Sequence, residues 1–569
     1  MNQFGKVLVL GLDGATFDVI DPLMARGELP NLERLVREGC GLELRSTIHP
    51  YSAQAWSSFM TGMNAGKHGI LDFTEHVKSE YRLKFLNASH REGQSLWRIL
   101  SDCGKRVGVV NLPFTYPPER VNGFIVSGMD APSINSDYTY PKELKDELAA
   151  ETGEYIIELG VKDYIAKGHP EDFLEEMEHA FKSQMKAMEY LVKNKPWDVF
   201  VYVYRLTDQV QHYFWKYFDQ SHPCYDEKAD EKLKNAIPWV YKEIDKAIGD
   251  LMAWLGDDVS VVVMSDHGQG GINGKKVFLN RWLSSQGFLR FCNKTAAPRC
   301  RVLNNIFRNS RVGLIDLIRR NVPKAVRTAV VKRAPWLKDK LVSHGVFSNI
   351  DWEKTRAYSD EKRANIWINV RECQLKGVVT PGEEYENLRD EIIAKIGEMR
   401  DPETQEPIFS EIYKKEDLYW GPHLEKAPDI LLTQGKRKYS YVLQRSDKGG
   451  NTSLWIEDMS PEELRKRTNA NHREEGILII KGNNIKKMGR LSVSAHIMDV
   501  APTILHMMGL PIPEEMDGKV LVDLFVEEYL ADHEVIYASL QDNQRKERIE
   551  YSAEEEALIS ERLKGLGYL

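Results

Sequence analysis

The sequence predicts an α/β fold: a doubly wound, mainly parallel sheet flanked by helices, interrupted by an inserted helical and small α/β cap. Three observations predict it. Continuous apolar runs of strand length recur along the chain, as expected for strands buried on both faces. Helical patterns lie between these runs, so strand and helix alternate over long spans. The alternation breaks at a basic segment that begins near residue 290.

The first strand is Val7–Leu12, ending in Gly11-Leu12-Asp13-Gly14, and a helical pattern follows through Pro30–Glu38. Further buried-strand candidates are Val107–Val110, Val199–Tyr204, Val259–Met264 and Ile477–Ile480. Leu96–Cys103, Phe173–Val192 and Trp239–Leu255 are the helical stretches between them. Residues 290–345 read as basic helices. Residues 346–440 read as a small mixed segment, with Ile366–Val370 as a strand and Tyr385–Gly397 as a helix. The expected organisation is a core over 1–289 and 441–528, a cap over 290–440, and an acidic helical extension over 529–569.

Composition limits the function classes. The 569-residue chain is 42% hydrophobic and 28% charged, which excludes a disordered chain, a collagen and a coiled coil. Its apolar runs are strand-sized, so no transmembrane helix is expected. Val7–Leu12 is too short for the apolar region of a signal peptide. Six cysteines occur without metal-type spacing, consistent with reduced thiols in a cytoplasmic protein. The net charge of -8 argues against general nucleic-acid binding. Against that background, Arg290–Lys340 holds 14 Lys/Arg and only two acids, Asp316 and Asp339. Three readings stand for this block: a solvated helical face, a cap that attracts an anionic substrate, or a peripheral surface for anionic lipid.

Ligand-type side chains collect where the apolar runs stop, which is where ligands bind in open α/β sheets. Asp13 follows the first run. Ser265-Asp266-His267-Gly268 follows Val259–Met264, offering a hard oxygen and an imidazole on a tight turn. Asp208 and His212 follow Val199–Tyr204 at i, i+4 spacing, on one helix face. His472 is the exception, because it precedes its strand. Ser52 stands where a helix would begin, where backbone N–H groups favour an anion. There it is the candidate nucleophile, although Ser57 and Ser58 share the segment. These ligand types suit Zn²⁺ and tolerate Mn²⁺.

On these motifs the sequence resembles the type I phosphodiesterase/nucleotide pyrophosphatase family of the alkaline phosphatase superfamily, in its bacterial and archaeal branch. The matching text is GLDG at 11–14, AWSSFMTGMNAGKHGILDF at 55–73, RLTDQVQHYFW at 205–215, SDHG at 265–268 and NRWL at 280–283. DWEKTRAYS at 351–359, NHREEGILI at 471–479 and AHIMDVAPTILHMMGLPIPEEMDGKVL at 495–521 follow in family order. The resemblance implies an alkaline phosphatase-like fold and two divalent metal ions. One ion would be held by Asp208, His212 and His472, the other by Asp13, Asp266, His267 and Ser52. It further implies hydrolysis of phosphodiester or pyrophosphate bonds through a phospho-seryl intermediate on Ser52. A phosphomonoesterase or phosphoryl transferase with the same metal core is the alternative, and a non-catalytic anion- or lipid-binding module is a third reading.

Two departures qualify the implied substrate. The eukaryotic members carry an Asn a few residues beyond the HGI motif, whereas this chain has Leu71-Asp72-Phe73. The sulfatase signature needs Pro and Arg where Gln54 and Trp56 stand. Lys67, His68 and Arg205 are further substrate-contact candidates. Of the two readings of His68, capping or hydrogen-bonding a turn is the favoured one, and Arg205 could equally pair with a neighbouring acid. The expected substrate is a phosphorylated small molecule or a lipid-linked phosphoester.

Overall fold

The computed structural model describes residues 5–77, 82–159, 169–292, 349–446, 454–539 and 548–565. Nearly all of the basic block lies outside these residues, and so do the cap-charge and lipid-docking readings attached to it.

The central sheet has nine strands: β1 (Lys6–Leu12), β2 (Cys40–Arg45), β3 (Val107–Leu112), β4 (Gly123–Ser127), β5 (Thr139–Tyr140), β6 (Val199–Tyr204), β7 (Val259–Met264), β8 (Glu475–Lys481) and β9 (Gly489–His496). Their spatial order is β9-β2-β8-β7-β1-β6-β3-β4-β5. β1 is parallel to both neighbours, with Leu10 opposite Tyr202 on β6 and Val263 on β7. The edge strand β5 is antiparallel to β4. Inside the sheet, β8 alone runs against its neighbours β7 and β2.

The apolar runs form central strands because both faces of the sheet are covered. Side chains alternate between two apolar layers along each run. Leu8, Leu10 and Leu12 of β1 pack on one face with Phe200, Tyr202 and Tyr204 of β6 and Ile477 and Ile479 of β8. Val7 and Val9 pack on the other face with Val199, Val201 and Val203, and with Leu478 and Ile480. Helices Pro170–Asn194 and Ala236–Leu255 cover the first face, and helices Leu96–Asp102 and Val500–Met507 cover the second. Among the described residues, no helix is long and apolar enough to cross a membrane.

A third apolar cluster belongs to the intervening region. It includes Ile366, Ile368, Ile430 and Leu432 of a small sheet, and Leu388, Ile392 and Ile396 of helix Glu383–Gly397. That sheet pairs Ala357–Tyr358, Asn365–Ile368, Ile430–Thr433 and Glu411–Lys414 in this order, all antiparallel. Ser440–Leu443 joins a side sheet built on the strand Gly268–Val277, and the central sheet resumes at β8.

The antiparallel sense of β8 explains why His472 precedes its strand while the other candidate ligands follow theirs. Leu478 of β8 pairs with Met264, the last residue of β7, so the start of β8 lies at the edge where β7 ends. The segment Ala470–Arg473 then pairs with Gly268–Val277 and sets His472 opposite Gln269. This junction is tight: a Cβ on Gly268 would stand 2.0 Å from the Glu475 carbonyl oxygen. Gly268→Ala is therefore expected to force the two chain segments apart and cost about 2 kcal/mol or more, as overpacking against backbone does. Chemical denaturation checks this, and unchanged stability would contradict the packing described.

Candidate metal centre

Six of the expected ligands and Ser52 converge at the carboxyl edge of the sheet. Asp13 leaves the end of β1, and its backbone N–H donates to the Tyr204 carbonyl at 3.0 Å, which locks it beside β6. Thr207 Oγ1 donates to the Asp13 carbonyl at 2.6 Å. Gly14 has φ +68°, and a Cβ there would meet Asp208 Oδ1 at 3.2 Å, so the turn suits glycine. The Gly14 N–H donates to Asp266 Oδ1 at 3.2 Å and ties the first segment to the turn after β7. Helix α1 (Ser52–Thr61) begins at Ser52 and is buried along its whole length. Trp56, one turn on, donates its indole N–H to Asp13 Oδ2 at 3.2 Å. Asp208 and His212 share one face of helix α2 (Leu206–Phe218). The Asn469 N–H donates to the His212 carbonyl at 2.8 Å and holds the His472 segment against α2.

The histidine orientations are informative. Nδ1 of His212 lies 3.1 Å from the Ala470 carbonyl, Nδ1 of His472 lies 2.9 Å from the Pro50 carbonyl, and Nδ1 of His267 lies 3.0 Å from the Gly268 carbonyl. A carbonyl oxygen only accepts, so each Nδ1 carries a proton, and in its neutral form each ring presents a lone pair at Nε2. Those Nε2 atoms point at one another and at carboxylates. His212 Nε2 and His472 Nε2 are 2.9 Å apart, and lie 3.2 and 3.3 Å from Asp208 Oδ1. His267 Nε2 lies 3.4 Å from Asp266 Oδ2, 3.7 Å from Asp13 Oδ1 and 3.4 Å from Ser52 Oγ. The rings of His267 and His472 stack at 3.7 Å between centroids, so the two groups adjoin.

Such an arrangement of electron pairs is repulsive unless a cation sits among them. Asp13 Oδ1, both Asp208 carboxylate oxygens and Asp266 Oδ2 are buried without a hydrogen-bond donor. Arg205 is the neighbouring cation, pairing with Asp13 at 2.6 Å, Glu158 at 3.4 Å and Asp208 at 3.8 Å. Among the described residues, Arg205 is the cation paired with Asp13 and Asp208, so the three buried aspartates leave the region short of positive charge. Burial pushes Asp266 well above the usual carboxylate range, and the Asp13 carboxylate adds to the push. Burial also holds His267 below its ordinary value and takes His472 down to about 4, so both rings favour the neutral form that binds metal. Ligand atoms of Asp208, His267 and His472 all lie within 4.8 Å of one another, as do those of Asp13, Asp266 and His267. These two clusters form a candidate bimetal site with imidazole and carboxylate ligands.

Of the other sequence candidates, Lys67 and His68 separate from this group. Lys67 Nζ pairs with Asp517 at 2.6 Å and donates to the Glu515 carbonyl. His68 is fully buried: its Nε2 lies 3.0 Å from Ser58 Oγ and its Nδ1 accepts from the Ile70 N–H. Arg205 reaches the cluster, but its described partners are acids. Sequence reasoning missed Trp56, Thr207 and Asn469 as supports. The i, i+4 spacing of Ser52 and Trp56 was the available signal for the first, whereas the long-range contacts of the others left none.

An open cleft leads away from the cluster. His212 and His472 line it, together with Lys362, Arg437, Arg467 and Arg473.

The model of the family described as type I phosphodiesterase / nucleotide pyrophosphatase matches residues 7–473. No curated protein matches the chain. Among solved structures, phosphonoacetate hydrolase from Sinorhizobium meliloti 1021, in complex with phosphonoformate, is 13% identical with TM-score 0.52, covering 87% of this chain and 94% of its own. Murine ectonucleotide pyrophosphatase / phosphodiesterase 5 is 12% identical with TM-score 0.43, covering 92% of this chain and 100% of its own. A second murine structure, with AMP, has TM-score 0.44, 12% identity and the same coverage, and is the inactive variant in which a threonine is replaced by alanine.

That variant corrects the expectation of a phospho-seryl intermediate on Ser52: the replacement that inactivates the murine protein falls on a threonine, not a serine. The physical reason is that a helix start beside an imidazole accommodates any small hydroxyl, so the position of Ser52 does not by itself make it a nucleophile. The match over residues 7–473 stands apart from that correction. The chain belongs to the type I phosphodiesterase / nucleotide pyrophosphatase family of the alkaline phosphatase superfamily and is a metal-dependent hydrolase of phosphoric esters.

Proposed function

We propose that this chain hydrolyses phosphodiester or pyrophosphate bonds of phosphorylated small molecules with two divalent ions, Zn²⁺ in the first instance and Mn²⁺ as the substitute. The observation that carries the proposal is the set of three imidazole Nε2 lone pairs turned onto three buried carboxylates. Asp208, His212 and His472 would hold one ion, and Asp13, Asp266 and His267 the other, with Ser52 Oγ facing the second set. A pair of ions there supplies positive charge to the phosphoryl oxygens and to the attacking and leaving oxygens of an in-line displacement.

The chain's own residues do the positioning. The three backbone carbonyls fix the imidazole tautomers, as outer partners of metal-binding histidines do. Trp56 and Gly14 orient Asp13 and Asp266. Arg205 offsets part of the carboxylate charge from behind, which keeps the cluster assembled before metal arrives. The cationic cleft beyond His212 and His472 attracts an anionic ester toward the centre. We place the protein in the cytoplasm, a reading supported by the five described cysteines, which are all free thiols.

Two outcomes are expected. Elemental analysis of the purified protein should find about two divalent ions per chain. Asp266→Asn and His472→Ala should each lower metal content and cut turnover by about a hundredfold, the upper end of what losing even an outer partner costs. Full metal occupancy in both variants would contradict the assignment. In a substrate panel, bis-p-nitrophenyl phosphate should be cleaved in preference to p-nitrophenyl phosphate. Preference for the monoester would move the reading to a phosphomonoesterase on the same centre.

A further inference from the structure

The cleft beside the metal centre is unevenly charged. Lys362, Arg437, Arg467 and Arg473 line it, and Glu474 is the acid among its lining residues. Two of the arginines have acidic partners. Arg473 is held by Asp18 at 2.8 Å, and Arg437 lies 3.8 Å from Glu406.

Arg467 differs. Among the described residues, no carboxylate lies within ion-pairing distance of its guanidinium. Its contacts are weak: NH1 reaches Gln444 Oε1 at 3.5 Å and Met459 Sδ at 3.9 Å. Its Nε is buried and has no acceptor. Glu463, whose field reaches it, is held by Lys276 at 2.9 Å. Arg467 follows the short helix Pro461–Lys466 and precedes the segment that carries His472, so it opens onto the same cleft as the metal ligands. A half-buried guanidinium with unused donors is matched by an oxyanion, which it binds through paired N–H groups.

We infer that Arg467 is a specificity-determining residue that binds a second acidic group of the substrate, a carboxylate or phosphate carried beyond the scissile phosphorus. The inference rests on the two-metal phosphoester reading and narrows its substrate class to diesters or pyrophosphates bearing a further anionic substituent. A simple neutral-armed diester then enters the metal centre but forgoes this contact.

Three p-nitrophenyl phosphodiesters sharing one leaving group, with ethyl, carboxyethyl and phosphonoethyl arms, test it on metal-loaded enzyme. The native protein should favour at least one acidic arm over the ethyl arm by roughly tenfold or more in kcat/KM, and the better arm identifies the anion. Arg467→Gln should erase that preference through KM, lowering kcat/KM for the acidic-arm ester several-fold more than for the ethyl ester. Arg467→Lys, which keeps the charge without the planar fork, should retain part of it. Equal rates on all three esters in the native protein would overturn the inference, and so would a preference that survives Arg467→Gln. If none is cleaved, the hydrolase reading fails separately. Calorimetric titration with phosphonopropionate then decides on Arg467: weaker binding by Arg467→Gln supports the anion site, and equal binding overturns it.

Discussion

Negative charge without enough positive charge to balance it dominates the carboxyl edge of this sheet. Asp13, Asp208 and Asp266 are buried beside the guanidinium of Arg205, which pairs with the first two. Three imidazoles commit their Nδ1–H groups to backbone carbonyls and turn their Nε2 atoms toward the carboxylates. A cation bound there would offset the several kcal/mol that an unpaired buried charge costs. Much of the surrounding architecture serves this constraint. The glycine turn after β1, the indole of Trp56 and the Asn469 tether each fix one member of the set.

The topology shows how segments far apart in sequence satisfy the constraint together. Parallel strands β1, β6 and β7 deliver Asp13, the Asp208–His212 helix and the Asp266–His267 turn to one edge. A further parallel strand would carry His472 to the opposite edge. β8 runs the other way, so the residue before it arrives beside the residues after β7. Direct pairing of Ala470–Arg473 with the strand that follows His267 then sets the register of the two histidines. The same segment lies downstream of Arg467, so the candidate ligand His472 and the arginine facing the cleft are carried by neighbouring residues of one stretch of chain.

The central strands were legible because each is a continuous apolar run whose alternate residues serve two different layers. Val199–Tyr204 and Val259–Met264 form strands over the expected spans. The ligand types were legible from their place after those runs, and the i, i+4 pair from helix geometry. Strand direction was not, because an apolar run reads the same both ways, and this is why His472 looked anomalous. The partners of Arg205, Lys67 and His68 were also hidden. Asp13 lies nearly two hundred residues before Arg205, and Asp517 lies far beyond Lys67; no local pattern links them. The nucleophile assignment failed for a different reason: a hydroxyl at a helix start is a permissive feature, shared by serine and threonine, and carries little information about which residue reacts.

Anomalous X-ray diffraction from crystals of zinc-loaded protein tests the central claim most directly. The account predicts two peaks separated by about 4 Å, one among Asp208, His212 and His472 and the other among Asp13, Asp266 and His267. Absence of peaks at this edge of the sheet, with zinc bound elsewhere or not at all, would contradict it.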